Sequence, residues 1–170
     1  MKRIETDRLI IRKFTLDDAQ LIYELSNEES LKKFLPDQVY ADINQAKETL
    51  EFLISKYERI SFPYVMAVVE KSSGVLIGHA GLSKVDKGIE IGYAIGMKYQ
   101  GKGYAKEAVN AYTDWAIVNL GLDKIYGLVE VDNSASIKVL IGSGYVPAPH
   151  NVRQKSIKHK NKDVYIKWYI

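Results

Sequence analysis

Apolar residues crowd positions 8–14 in a short run that predicts a first β-strand. Thr15 then offers a helix N-cap, with Asp17 and Asp18 in the first turn, where the helix dipole favours carboxylates. Leu16, Ala19, Ile22 and Leu25 follow at helical spacing, so a helix should run to about residue 28. Pro36 marks a break. Asp42 with Gln45 resembles a capping box, and Ile43, Ala46, Leu50, Leu53 and Ile54 form the apolar stripe of a second helix.

After Pro63 the period changes. Residues 64–70, 75–82 and 89–95 read as strands, separated by Ser72-Ser73-Gly74 and Asp86-Lys87-Gly88. Such short turns make these strands antiparallel neighbours, because a parallel crossover needs about a dozen residues or more. The second half alternates. A helix over 104–119 turns Ala105, Ala108, Val109, Tyr112, Ala116 and Ile117 inward. A strand over 124–131 and a helix over 133–141, ended by Gly142-Ser143-Gly144, come next; strands starting at Tyr145-Val146 and over 163–170 close the chain. The order β-α-α-β-β-β-α-β-α-β-β predicts one domain over 1–170 of α/β (α+β) class. Its sheet is mixed and mostly antiparallel, with helices on both faces.

Composition narrows the chemistry. The chain has 170 residues, 46% hydrophobic and 26% charged, as in a soluble globular domain. No apolar run approaches the roughly 20 residues that span a bilayer, and the charged N-terminus does not read as a signal peptide, so a cytoplasmic protein with no membrane partner is expected. The absence of cysteine excludes disulfides, thiolate nucleophiles and Cys-based zinc sites. His79, His150 and His159 lack metal-ligand spacing, so no metal is expected. A net charge of +3 is too small to argue for nucleic acid. The basic stretch 151–162, with Arg153, Lys155, Lys158, Lys160 and Lys162, reads either as a solvated loop or as a contact for phosphate or an acidic partner.

The segment between the strand ending near Ile95 and the helix starting near Tyr104 carries the candidate chemistry. Gln100-Gly101-Lys102-Gly103-Tyr104-Ala105 combines glycines, which admit a ligand close to the backbone, with the unpaired amides and positive dipole end of a helix. That is an anion site suited to a pyrophosphate. Residues 96–102 also match most of a P-loop, Gly-x-x-x-x-Gly-Lys. Gly103 stands where that motif needs a magnesium-binding hydroxyl, and too few residues follow for the parallel βα units of such a fold.

The same turn resembles motif A of the GNAT superfamily of N-acetyltransferases, Gln/Arg-x-x-Gly-x-Gly/Ala. Asn133-Ser134-Ala135-Ser136 followed by Gly144-Tyr145 resembles that family's Asn-x-x-Ser and Gly-Phe. The opening Glu5-Thr6-Asp7-Arg8-Leu9 with Ile11-Arg12 is similar to the start of the Rim-type ribosomal-protein N-terminal acetyltransferases. The resemblance implies acetyl-CoA as co-substrate. Gln100 and the amides of Gly101, Lys102, Gly103, Tyr104 and Ala105 would hold the pyrophosphate. The strand at Tyr93 and Ile95 would pair with the pantetheine arm, and Asn133 and Ser136 would line its other side. It also implies two parallel strands, 89–95 and 124–131, that splay apart around the thioester.

An amine must be neutral to attack a thioester; an α-amine, with a pKa of about 7.7–8.0, needs less help than a lysine at about 10.4. Glu90, on the strand leading to motif A, is the expected general base, with Glu130 as the alternative. Many family members place a tyrosine acid seven residues after the asparagine. Leu140 stands there, which moves the acid to Ser136. His79 reads as a packed strand residue. The expected activity is direct transfer of an acetyl group to a primary amine, with a protein N-terminus or a small molecule as acceptor, by a monomer or homodimer. The competing reading is a non-catalytic acyl-CoA-binding module.

Overall fold

The computed structural model describes residues 3–86, 88–149 and 162–168. Two short strands open the chain, β1 (Ile4–Glu5) and β2 (Leu9–Arg12), followed by a 3-10 turn at Leu16–Asp18. Three helices come next: α1 (Ala19–Ser26), α2 (Glu29–Phe34) and α3 (Ile43–Ser55). A meander of β3 (Tyr64–Glu70), β4 (Leu76–Val85) and β5 (Gly88–Ile95) leads into α4 (Tyr104–Leu120). β6 (Lys124–Glu130), α5 (Ser134–Gly142), β7 (Val146–Pro147) and β8 (Lys162–Trp168) complete the described chain.

All eight strands join one sheet in the order β1-β2-β3-β4-β5-β6-β8-β7. Every neighbouring pair is antiparallel except β5 with β6. The antiparallel meander expected from the short turns is therefore present, and the mixed, mostly antiparallel fold class stands. Helices cover both faces. On one, Ala108, Val109, Tyr112 and Ala116 of α4 pack on Ile91 and Ile95, with Leu140 of α5. On the other, Ala19 and Ile22 of α1 and Leu50 and Leu53 of α3 pack on Ala67, Val69 and Leu76. At roughly 1.5–3 kcal/mol for each fully buried large aliphatic or aromatic side chain, these two layers supply the main stabilisation. α5 sits hard against β6: a Cβ on Gly127 would lie 2.8 Å from Leu140 Cδ2.

The N-terminal end differs from the expected order. β1 and α2 are additional elements. β1 has only two residues, and α2 has six, of which only Leu31 is buried, so neither generates a readable period. The helix expected from 15 to 28 is divided. Asp18 is buried, accepts the Thr15 N–H (2.8 Å) and takes both guanidinium arms of Arg12 (2.8 and 2.7 Å), which fixes a 3-10 turn before α1 begins. Burial opposes the Asp18 charge, yet Arg12 and Thr15 hold its pKa below the usual carboxylate value. The expected cap at Asp42 is present, its carboxylate accepting from the amides of Asn44 and Gln45. The basic stretch 151–162 lies outside the described residues except for Lys162, which opens β8. Among the described residues no helix is long and apolar enough to cross a membrane.

Candidate active site

β5 pairs with β4 along its whole length, from Val85 opposite Gly88 to Gly78 opposite Ile95. The Gly96 N–H donates to the Ile77 carbonyl at 2.9 Å. This phase turns the peptide groups of Gly92 and Ala94 towards β4 and those of Tyr93 and Ile95 towards β6. β6 does not meet them: the parallel pairing is confined to Glu90 opposite Tyr126. Past that pair the strands part, and a cleft of about 440 Å³ opens between Tyr93 and Ile95 on one side and Leu128 to Glu130 on the other.

The glycine turn forms the cleft's mouth. Gly101 and Gly103 have φ of 73° and 83°, left-handed values that strain any residue with a Cβ. The first α4 amide to reach an intrahelical acceptor is that of Glu107, on the Gly103 carbonyl (3.1 Å). The N–H groups of Tyr104, Ala105 and Lys106 thus project from the helix end beside the cleft, where the dipole adds to their pull on an anion.

Long-range contacts hold this turn. Gln100 borders the cleft, and its Nε2 donates to the Ile95 carbonyl (2.8 Å) and the Ser30 hydroxyl (3.3 Å), tying the turn to β5 and α2. Arg8 donates through Nη1 to the Lys102 carbonyl (2.9 Å), pairs through Nε and Nη2 with Glu107 Oε2 (2.7 and 2.6 Å), and lies 4.6 Å above the Tyr104 ring. Glu107 Oε1 also accepts from the Thr6 hydroxyl (2.6 Å) and the Arg8 N–H (3.0 Å). Despite its partial burial, these donors keep the Glu107 pKa below its ordinary value. Thr6 and Arg8 belong to the opening motif, so that motif grips the first turn of α4 from 99 residues away. The Lys102 side chain lies over the Tyr99 ring and is not among the groups that line the cleft.

On the opposite wall Asn133 caps α5, its Oδ1 accepting from the Ser136 N–H at 3.0 Å. The Ser136 hydroxyl lies 2.6 Å from the Tyr93 hydroxyl, which also donates to the Ser136 carbonyl (3.1 Å). Burial, against the relief from Ser136, raises the Tyr93 pKa to about 12. Sequence reasoning assigned Tyr93 only a backbone contact; nothing local announces its hydroxyl's partner, 43 residues on. Leu140 is buried against Gly127, so the departure noted at that position is real in space as well.

The two candidate bases stand apart. Glu130 borders the cleft. Glu90 lies where the strands separate, opposite Ser83, and shares with Ser83, Gly92 and Ala94 the sheet face covered by α1 and α3.

The sequence profile of the acetyltransferase (GNAT) domain matches residues 8–146. The chain belongs to the GNAT family of N-acetyltransferases. It is 29% identical over 143 residues to the uncharacterized N-acetyltransferase p20 of Bacillus licheniformis, covering 82% of this chain and 80% of that one. It is 26% identical over 160 residues to the spermidine N(1)-acetyltransferase of Vibrio cholerae, covering 92% and 90%. The crystal structure of a ribosomal-protein-S5-alanine acetyltransferase from Vibrio fischeri superimposes with a TM-score of 0.80 at 23% identity, over 99% of this chain and 97% of that one. That likeness is one of fold. In this GNAT domain the helix-end amides, the strand edge at Tyr93 and Ile95 that β6 does not meet, and the close backbone approach at Gly101 and Gly103 fit the pyrophosphate and the amide-bearing arm of acetyl-CoA.

Proposed function

We propose that the chain transfers an acetyl group from acetyl-CoA directly to a primary amine in a ternary complex. The observation that carries this reading is the parting of β5 and β6 after Glu90 and Tyr126, next to the free amides of α4. Acetyl-CoA supplies the acyl group as an activated thioester. Gly101, Lys102, Gly103, Tyr104 and Ala105 bind its pyrophosphate through their amides, and Tyr93 and Ile95 offer the strand edge to the pantetheine arm. Asn133 holds the start of α5 so that Ser136 faces the sulfur.

The two faces of β5 divide the work. Glu90, on the α1/α3 face, accepts the proton that the acceptor nitrogen loses as the new C–N bond forms. The N–H near Ile95 stabilises charge on the acyl oxygen. Ser136, on the α5 face, donates a hydrogen bond to the departing sulfur as Tyr93 turns its O–H from the Ser136 carbonyl to the Ser136 Oγ, 2.6 Å away, and so orients that hydroxyl. With a pKa of about 12, Tyr93 is a much weaker acid than a thiol at about 8.5. Its contribution is therefore a hydrogen bond to Ser136 Oγ, not a proton delivered to the sulfur.

For the acceptor, we place a protein N-terminal α-amine first. The Rim-type likeness of fold and opening motif supports it, and so does the modest demand such an amine makes on Glu90. The test is thiol release and mass analysis with acetyl-CoA and a panel of amines and N-terminal peptides. Acetylated product supports the enzyme. Tight acetyl-CoA binding without turnover on any of them leaves the non-catalytic module as the correct reading.

A further inference from the structure

A second cavity, of about 290 Å³, lies on the α1/α3 face of the sheet. Its floor comes from His79, Gly81 and Ser83 of β4 and from Gly92 of β5. Gly92 also borders the cleft between β5 and β6, so the two cavities meet at this residue from opposite faces. A Cβ built on Gly92 has nothing within 4 Å, so the meeting point is open space rather than packed side chains.

The walls are mostly apolar. Phe14, Leu50, Phe52 and Val65 stand with Tyr40 around the space, the neutral Gln38 and Thr49 interrupt them, and Asp37 is the only carboxylate among the described residues that line it. Phe52 is half exposed at the rim. His79 is the only potential cation among the described residues of the lining, and burial lowers its pKa to about 4, so it is neutral near pH 7. Such a space rewards an apolar group of ring size and penalises any ammonium beyond the one that Asp37 can meet.

Building on the proposed acetyl transfer, we infer that this cavity holds the group next to the reacting amine, and that it selects a primary monoamine bearing an aromatic or branched apolar substituent over a polyamine. The amine nitrogen would reach the cleft at Gly92, two residues from Glu90 on the same face. Phe52 and Tyr40 are then the specificity residues. Two sources share this chemistry: a free arylalkylamine, and a peptide whose first residue is aromatic.

The test compares initial rates of thiol release by the full chain, at saturating acetyl-CoA, with phenethylamine, a peptide amide beginning with Phe, a peptide amide beginning with Gly, and spermidine. The expected kcat/KM for phenethylamine or the Phe peptide exceeds that for spermidine by about tenfold or more, the scale of burying one phenyl group. Whichever of the two is preferred identifies the source. Phe52→Ala, at a half-exposed position whose truncation spares the core, should erase most of that preference. Gly92→Val should cost at least about tenfold in turnover with unchanged CoA affinity by calorimetry, because its side chain fills the passage on the face away from α5. Spermidine or the Gly peptide as the better substrate, or full turnover by Gly92→Val, overturns the selectivity while leaving acetyl transfer intact. Failure of the wild type to bind CoA overturns the acetyl-transfer reading itself, and this inference with it.

Discussion

Ser136→Ala separates catalysis from folding more cleanly than any other change at this site. The mutation removes the hydroxyl 2.6 Å from Tyr93 but not the backbone around it. The N–H of residue 136 still reaches Asn133 Oδ1 (3.0 Å), so α5 keeps its cap. The Tyr93 hydroxyl still has the carbonyl of residue 136 at 3.1 Å, so no buried phenol is orphaned. One neutral hydrogen bond is lost from the ground state, and stability should fall by about 1 kcal/mol or less. The departing sulfur carries charge, and a hydrogen bond to a charged group contributes about 1.5–3 kcal/mol. On the rate scale that is about 10- to 150-fold in kcat, with little change in acetyl-CoA affinity. Steady-state thiol release gives kcat and KM, calorimetry gives affinity, and thermal unfolding gives stability. A variant with wild-type kcat, or one whose activity falls only as fast as its folded fraction, refutes the proposed role of Ser136.

Glu90→Gln should lower kcat at least about tenfold while acetyl-CoA affinity is kept, since general-base groups contribute about 100-fold or more; full turnover points to Glu130. Arg8→Ala frees the Lys102 carbonyl and leaves Glu107 without its cation beside the pyrophosphate site, so CoA should bind roughly tenfold more weakly with about 1 kcal/mol or less lost in stability. His79 predicts a pH effect on folding. Its folded pKa is depressed from 6.5 to about 4, so the unfolded chain binds the proton more readily between those values. Stability should therefore fall as pH drops through that window, and denaturant midpoints for His79→Gln should show a shallower decline there.

Local chemistry made much of this fold readable. The Asp42 cap, the antiparallel meander and the inward face of α4 depend on contacts a few residues apart, and each is found where the sequence places it. The spacing from Gln100 to Ala105 and from Asn133 to Ser136 likewise marked two short segments that border one cleft. What stayed hidden depends on distant partners. Tyr93 meets Ser136, and Arg8 meets Glu107 and Lys102, only because the sheet and α4 bring them together. The aromatic cavity has no motif at all, being assembled from β2's exit, α3 and the floor of β4 and β5. α2 escaped because six residues with one buried leucine carry no period.

The proposed acetyl-CoA site consists of the amides of residues 101–106 and the β5 edge at Tyr93 and Ile95 that β6 does not meet. Titrating acetyl-CoA into ¹⁵N-labelled protein and following the amide resonances tests it most directly. Saturable shifts that are largest at residues 101–106, Tyr93, Ile95 and Ser136 are the predicted result. Shifts that avoid these amides, or none at all at millimolar acetyl-CoA, would contradict it.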